Sequence, residues 1–229
     1  YATNDPVWSN GYEGVWHFSN SSANFPDSSS NGLHATSNSV AVTPGKVGQA
    51  ASFSGAEFAD VAYSGLLNTG KFTHSIWAKR TTGTGWNTAY SSRGLNDGTR
   101  GYTLYSQGGE FEFRTGKGIW GNNTWHTSPR SSAHSLNIWY HVTSTYDGTT
   151  KQIWVNGVAG STNNDSSNYA PNNLYSLRIG AGANESPTGN YFWVGELDEM
   201  RISSTNRSAD WIKAEYDNQK NSQSLVSYG

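Results

Sequence analysis

The sequence predicts an all-β fold, a sandwich or barrel of short antiparallel strands with one C-terminal helix. Three observations carry that reading. The 229 residues include 26 glycines, and only 14% are charged while 14% are aromatic, a balance that suits many turns around an aromatic core and not a disordered chain. Short runs with strand character recur along the chain between Gly, Asn, Asp and Ser clusters. The steps NDG at 96–98, YDGTT at 146–150 and VNG at 155–157 suit hairpins, because Asn-Gly and Asp-Gly tolerate positive φ.

Taken in order, GVWHF at 14–18 is the first clear strand, and DSSSNG at 27–32 is a loop. Residues 49–53, 60–63 and 72–78 follow as strands, the last reading FTHSIWA. Residues 101–105, 110–114, 139–146, 152–155, 176–180 and 192–202 complete the set. Only SADWIKAEYDNQ at 208–219 has helical character. Ser208 is expected as its N-cap, and Trp211, Ile212, Glu215 and Tyr216 recur about one turn apart. Trp211 and Tyr216 are expected to pin this helix to the sandwich. Neither a repeat nor a linker interrupts the chain, so one domain spanning 1–229 is expected.

The formal net charge is -2 and no basic stretch stands out, which argues against nucleic acid and against an anionic membrane surface. No apolar run reaches membrane-spanning length, so no membrane insertion is expected. With no cysteine, disulfides and thiolate zinc sites are excluded. The start at YATNDPVW reads as a cut from a larger parent with flanking domains.

Four segments together carry a resemblance: GVWHFSN, then DSSSNGLHAT and GKVGQAASFSG, then LNIWYHVTSTYDGTTKQIWVNGV, then GELDEMRISSTNRSADWIKAEYDNQ. In this order they resemble the laminin-G-like branch of the concanavalin A-like lectin/glucanase superfamily, in its bacterial carbohydrate-binding form. The resemblance implies a jelly roll of two antiparallel sheets and a secreted or cell-surface bacterial protein. It says less about the ligand, since one fold hosts many functions. Trp139, His141, Tyr146 and Trp154 then read as core or hairpin residues, and His17 likewise.

The strand GELDEMRI at 195–202 poses the main chemical question. Strict alternation puts Val194, Glu196, Asp198, Met200 and Ile202 on one face. Glycoside hydrolases of the superfamily carry two glutamates flanking an aspartate on such a strand, and retaining hydrolysis needs two carboxyl groups about 5–5.5 Å apart. Here Met200 and Arg201 stand where the second glutamate belongs, so the resemblance does not extend to that mechanism. The motif set of the polysaccharide lyases of this fold is missing too. The alternative that the resemblance implies is a structural Ca²⁺ at the sandwich rim. Asp27 and Asp198 would supply carboxylates, and Asn31 and His34 mainly backbone carbonyls, toward the six to eight oxygens calcium takes. Against this stands an ordinary Asx-turn at Asp27.

Several aromatics fall outside the fold signature. Trp86 lies in TTGTGWNTAYSSRG, Trp120 and Trp125 in GKGIWGNNTWHTSPR beside His126, and Trp193 in NYFWVGE. Large aromatics among Gly, Asn and Thr suggest an interaction surface. Indole faces stack on sugar rings, and polar groups such as Arg93 and His126 fix their hydroxyls. The alternative for each is a cap over the core. The expected function is a non-catalytic carbohydrate-binding module that takes a polysaccharide or glycan through Trp86, Arg93, Trp120, Trp125, His126 and Trp193, with a structural calcium ion. A protein-binding adhesion domain and a lyase or hydrolase with an unfamiliar site are the alternatives.

Overall fold

A computed structural model describes residues 6–19, 24–83, 85–93, 100–116, 128–164, 169–182 and 191–221. Two antiparallel sheets pack face to face, as the sequence predicts. The eight-stranded sheet runs in the order β13 (Val158–Asn163), β12 (Lys151–Val155), β11 (Tyr140–Tyr146), β7 (Phe72–Arg80), β15 (Val194–Ser203), β5 (Gln49–Ser54) and β4 (Ala41–Pro44), and β1 (Tyr12–Trp16) pairs with β15. The seven-stranded sheet runs β10 (Glu110–Gly116), β9 (Gly101–Gln107), β8 (Asn87–Ser91), β14 (Leu177–Ile179), β6 (Phe58–Val61), β3 (Ala35–Asn38) and β2 (Asn24–Phe25). Neighbours in each sheet are mostly distant in sequence, which is the jelly-roll pattern.

Between the sheets lies an aromatic core. Phe72, Ile76 and Ala78 of β7 meet Tyr90, Tyr102, Leu104, Phe111 and Phe113 from the other sheet. Tyr90 donates to Ser144 Oγ across the core at 3.1 Å. His74 sits fully buried among these rings, stacked on Phe72 at 4.2 Å. Burial drives its pKa down to about 3, so it is neutral.

The outer face of the eight-stranded sheet is covered by α1 (Ala209–Lys220). Ser208 caps it as expected, accepting from Trp211 N. The residues that fix the helix differ from the expected pair. Ile212, Glu215 and Gln219 are its buried side chains. Glu215 accepts from Ser75 Oγ at 2.7 Å, and Gln219 accepts from the Trp77 indole at 2.6 Å. Tyr216 contributes a ring contact to Trp77, but Trp211 is 38% exposed. Ser75 and Trp77, on that outer face of β7, offer donors, so polar helix residues make the contact.

The strand at 195–202 also departs from strict alternation. A bulge falls between Asp198 and Arg201, where Glu199 adopts φ 51°. One extra residue turns the strand by half a period. Leu197 therefore shares the core face with Met200 and Ile202, while Glu196 and Asp198 point outward. Gly195 permits the close pairing of β15 on β7, since a Cβ there would lie 2.1 Å from the Lys79 carbonyl oxygen.

The two-residue strand β2 is too short to read from the sequence, and strands β3, β4, β8 and β13 also escape it. Their residues are polar or small (ATSN, AVTP, NTAYS, VAGSTN), so no alternating apolar signal marks them. Among the described residues no helix is long and apolar enough to cross a membrane.

Candidate functional site

The outer face of the seven-stranded sheet carries a polar row. Cross-strand partners share a face, and one continuous line of partners runs Arg114, Thr103, Ser91, Arg178, Asp60, Thr36, Asn24, one residue per strand. Six steps of about 4.8 Å make the row roughly 29 Å long. Its middle is sunk, with Thr103, Ser91 and Arg178 buried, while Thr36 and Asn24 are exposed. At the centre, Arg178 forks onto Asp60 at 2.9 and 3.2 Å and lies 4.2 Å over the Phe58 ring. Its Nη1 is buried with no protein acceptor.

Beside the row, a second line of partners joins Glu112, Tyr105 and Thr88. Thr88 Oγ1 is buried and has no hydrogen-bond partner. Here the sheet carries an aromatic corner. Trp86 meets Tyr105 edge to face at 5.2 Å and Tyr191 at 6.4 Å. The Arg114 guanidinium lies 4.5 Å from the centre of the Trp86 ring, and Glu112 holds Arg114 at 2.6 Å. Arg93 reaches the Tyr105 hydroxyl at 3.5 Å. Tyr105 is buried beneath the corner, and the accessible Trp86 and Tyr191 rings next to fixed donors and acceptors can stack a sugar face while those groups hydrogen-bond its hydroxyls.

The structure thus brings Trp86 and Arg93 together. It places Trp193 elsewhere, fully buried in the core, so its indole is a packing residue and not a ligand platform. Trp120, Trp125 and His126 lie outside the described residues. Sequence reasoning missed Tyr105, Arg114, Arg178 and Asp60. One signal was present: EFEFRT at 110–115 alternates core phenylalanines with Glu112 and Arg114.

The four residues expected to hold calcium do not form one site. Asp27 is fully buried and its carboxylate is saturated. Oδ1 accepts from Val15 N and Ser29 N, each at 2.9 Å, and Oδ2 accepts from Ser29 Oγ at 2.7 Å and Leu33 N at 2.9 Å. A carboxylate offers about four lone-pair sites, and these bonds use them. The Asn31 amide donates to Glu13, and His34 Nδ1 accepts from Asp27 N at 3.0 Å. These three residues close the DSSSNG loop on β1, as an Asx-turn does. Asp198 differs. Its Oδ2 accepts from Lys46 N and Val47 N at 2.9 and 2.8 Å, while Oδ1 is buried without a partner. Burial and the neighbouring Glu199 raise its pKa to about 8. Of the two carboxylates, Asp27 is used up by its own loop and Asp198 keeps one buried oxygen without a partner among the described residues, and no group of three or more His, Asp or Glu among those residues is placed to hold a metal.

Glu199 is used as well. It takes His17 Nδ1 at 2.6 Å and Arg201 at 2.5 Å. Glu196 pairs with Lys79 at 3.1 Å. The acids of GELDEMRI are therefore structural partners and do not face each other across a cleft. A cavity of about 390 Å³ opens beside these acids, on the face away from the polar row, between the N-terminal turn and α1, with Arg201 in its lining. Its indoles Trp8 and Trp211 already have Arg201 and Arg207 against their rings.

A family model described as the concanavalin A-like lectin/glucanases superfamily matches residues 53–213. No curated protein matches by sequence. Solved structures share the fold. Domain 4 of AbnA, an extracellular arabinanase from Geobacillus stearothermophilus solved with arabinotriose, is 19% identical with a TM-score of 0.64, over 89% of this chain and 97% of that one. The receptor-binding domain of botulinum neurotoxin C/D mosaic serotype is 15% identical with a TM-score of 0.67, over 91% of this chain and 51% of that one. Trypanosoma rangeli sialidase is 14% identical with a TM-score of 0.68, over 92% and 33%. The chain spans about half the length of the toxin chains it matches. At these identities the likeness is one of fold.

Proposed function

The chain belongs to the concanavalin A-like lectin/glucanases superfamily, and on that premise we propose that it is a non-catalytic carbohydrate-binding module of a secreted or cell-surface protein. The observation that carries the proposal is the polar row of the seven-stranded sheet with its aromatic corner of Trp86, Tyr105 and Tyr191. Trp86 supplies the ring for a sugar face. Arg114, Arg93 and Arg178 supply N–H donors for hydroxyl or carboxylate oxygens. The row extends beyond the corner toward exposed Thr36 and Asn24, which suits a chain of sugars better than a single ring. The complex of the AbnA domain with arabinotriose supports this reading by analogy of fold.

The reading has no catalytic pair, because Glu196, Asp198 and Glu199 are each committed to structural contacts. It keeps a calcium ion only at Asp198, through Oδ1 and nearby backbone carbonyls. It also treats the chain as one module among flanking domains of a larger parent. The receptor-binding neighbours support a second reading, an adhesion domain that takes a protein.

The test is affinity electrophoresis of the domain through native gels that contain neutral or acidic polysaccharides, each with Ca²⁺ and with EDTA. Retardation in one or two gels supports the module and names its sugar class. Free migration in every gel refutes polysaccharide binding and shifts the weight to a protein ligand. Release of new reducing ends from a retarding polymer would overturn the non-catalytic reading.

A further inference from the structure

One end of the core holds a cation with no partner of opposite charge. Arg80 ends β7 on the core-facing side and is 1% exposed. Its guanidinium makes one hydrogen bond, from Nη1 to Ser106 Oγ at 2.9 Å. Nε and Nη2 are buried with no acceptor among the described residues. Burial lowers the pKa of Arg80, and no carboxylate offsets that effect. Arginine stays charged even so. An unpaired buried charge costs several kcal/mol, so a fold that keeps Arg80 here needs a counter-charge or a full set of acceptors.

The neighbours of Arg80 sharpen the requirement. Ser106 Oγ accepts from Arg80 and lies 3.1 Å from His134 Nε2. The hydroxyl proton has one acceptor, that nitrogen. His134 is therefore the tautomer with its proton on Nδ1, and burial and Arg80 lower its pKa to about 4, so it is neutral. Nδ1 is also buried without a partner. Trp193 stands on the same face, two residues before Gly195, which pairs with Arg80. Its Nε1–H is unpartnered too. Every open valence in this corner is a donor.

We propose that Arg80, held in place by Ser106 and flanked by the open N–H groups of His134 and Trp193, forms an internal site for a small inorganic anion of the size of chloride. Donors alone fit an anion and give a cation nothing to bind. The full burial of Arg80, Ser106 and Trp193 excludes larger anions such as a sugar acid. The site lies behind the candidate glycan surface, since Ser106 is the chain neighbour of Tyr105 on β9. The ion neutralises Arg80, whose own hydrogen bond to Ser106 ties β7 to β9. It is distinct from the glycan site and does not depend on that assignment.

Thermal melting of the whole domain in sodium chloride, with sodium gluconate replacing it at constant ionic strength, tests the proposal. The midpoint is expected to rise saturably with chloride, by on the order of 5 °C at a hundred times the dissociation constant. In Arg80→Met, similar in length and uncharged, the two salts are expected to give the same midpoint. Crystals soaked in bromide are expected to show an anomalous peak within hydrogen-bond distance of Arg80 Nε or Nη2. If Arg80→Met does not fold, the wild-type melts and the bromide peak decide alone. Equal wild-type midpoints in the two salts, with no bromide peak at Arg80, would overturn the proposal and leave water as the acceptor.

Discussion

Replacing Trp86 with alanine removes the indole from the aromatic corner while leaving the core intact. The ring is half-buried, and its contacts are the Arg114 guanidinium at 4.5 Å and the Tyr105 edge at 5.2 Å. The first is worth about 0.5–1 kcal/mol at a partly exposed site, and the second about 0.5–1.5 kcal/mol. The folded state should therefore lose roughly 1–2 kcal/mol, a drop of a few degrees in midpoint for a domain of this size. Binding should lose more. An aromatic anchor at the centre of a site carries about 2 kcal/mol or more, which is roughly a thirtyfold weaker dissociation constant. The assay is calorimetric titration with the oligosaccharide of whichever polymer retards the domain. Ile153→Val is the control. Ile153 is buried on β12 in the other sheet, and its truncation costs a similar ~1 kcal/mol without touching the corner. If Ile153→Val weakens binding as much as Trp86→Ala, the loss reports stability and not contact. If Trp86→Ala binds like wild type, the aromatic corner is not the site.

Arg178→Lys keeps the charge opposite Asp60 but loses the two-pronged geometry. We expect binding to fall on the order of tenfold, since about 1.4 kcal/mol is a factor of ten, with a midpoint shift small enough to separate by calorimetry. Asp27→Ala orphans the buried N–H groups of Val15 and Ser29. At about 1–3 kcal/mol for each unsatisfied group, urea unfolding should show a loss of about 3 kcal/mol or more. The pH response is led by two fully buried histidines, His74 with a pKa of about 3 and His141 with a pKa of about 4, both held neutral by burial, and the less buried His134, lowered to about 4, adds in the same direction. Below pH 6.5 the unfolded chain takes up their protons and the folded chain does not, so stability falls with pH until about pH 4. From pH 6.5 to 5 the pair removes about 3 kcal/mol. Asp198 has a raised pKa and acts in the opposite sense over the same range, giving back about 2 kcal/mol. Urea titrations in EDTA should therefore show a net loss of about 1–2 kcal/mol at pH 5, and unchanged stability would refute the burial argument.

Much of the fold is legible because its strands alternate against an aromatic core. FTHSIWA and EFEFRT show that period plainly, the YDGT turn fixes the hairpin between β11 and β12, and the VNG turn fixes the one between β12 and β13. The β8 strand NTAYS is hidden because both of its faces are buried and its outward residues are polar by position. The site is less legible for the same reason. Arg178 and Asp60 lie 118 residues apart in sequence, and only the pairing of β14 with β6 brings them together. Trp193 misleads because a tryptophan beside Gly and Asn looks like a loop residue, yet Trp193 N bonds to the Gly180 carbonyl and the ring turns into the core. The DSSSNG loop misleads in another way. Its aspartate has the sequence of a cation ligand, but the chain folds back so that its own N–H groups take the carboxylate first.

Asp198 is where the calcium question can be decided. Its Oδ2 anchors the turn at Lys46 and Val47, which alone explains an aspartate at this position. Its Oδ1 is left over, and a buried, unpaired carboxylate oxygen is costly unless it binds a proton or a cation. Asp198→Asn separates the two roles. The asparagine carbonyl can still accept from Lys46 N and Val47 N, and the amide takes the place of Oδ1, so the turn should survive. With a calcium ion at Oδ1, the wild type gains several degrees in Ca²⁺ over EDTA and the variant gains none. Without one, the wild type melts identically in both, and the variant is at least as stable at pH 8 because it no longer buries a charge. A wild type indifferent to EDTA would remove calcium from the proposed function and leave Asp198 as the anchor of the turn.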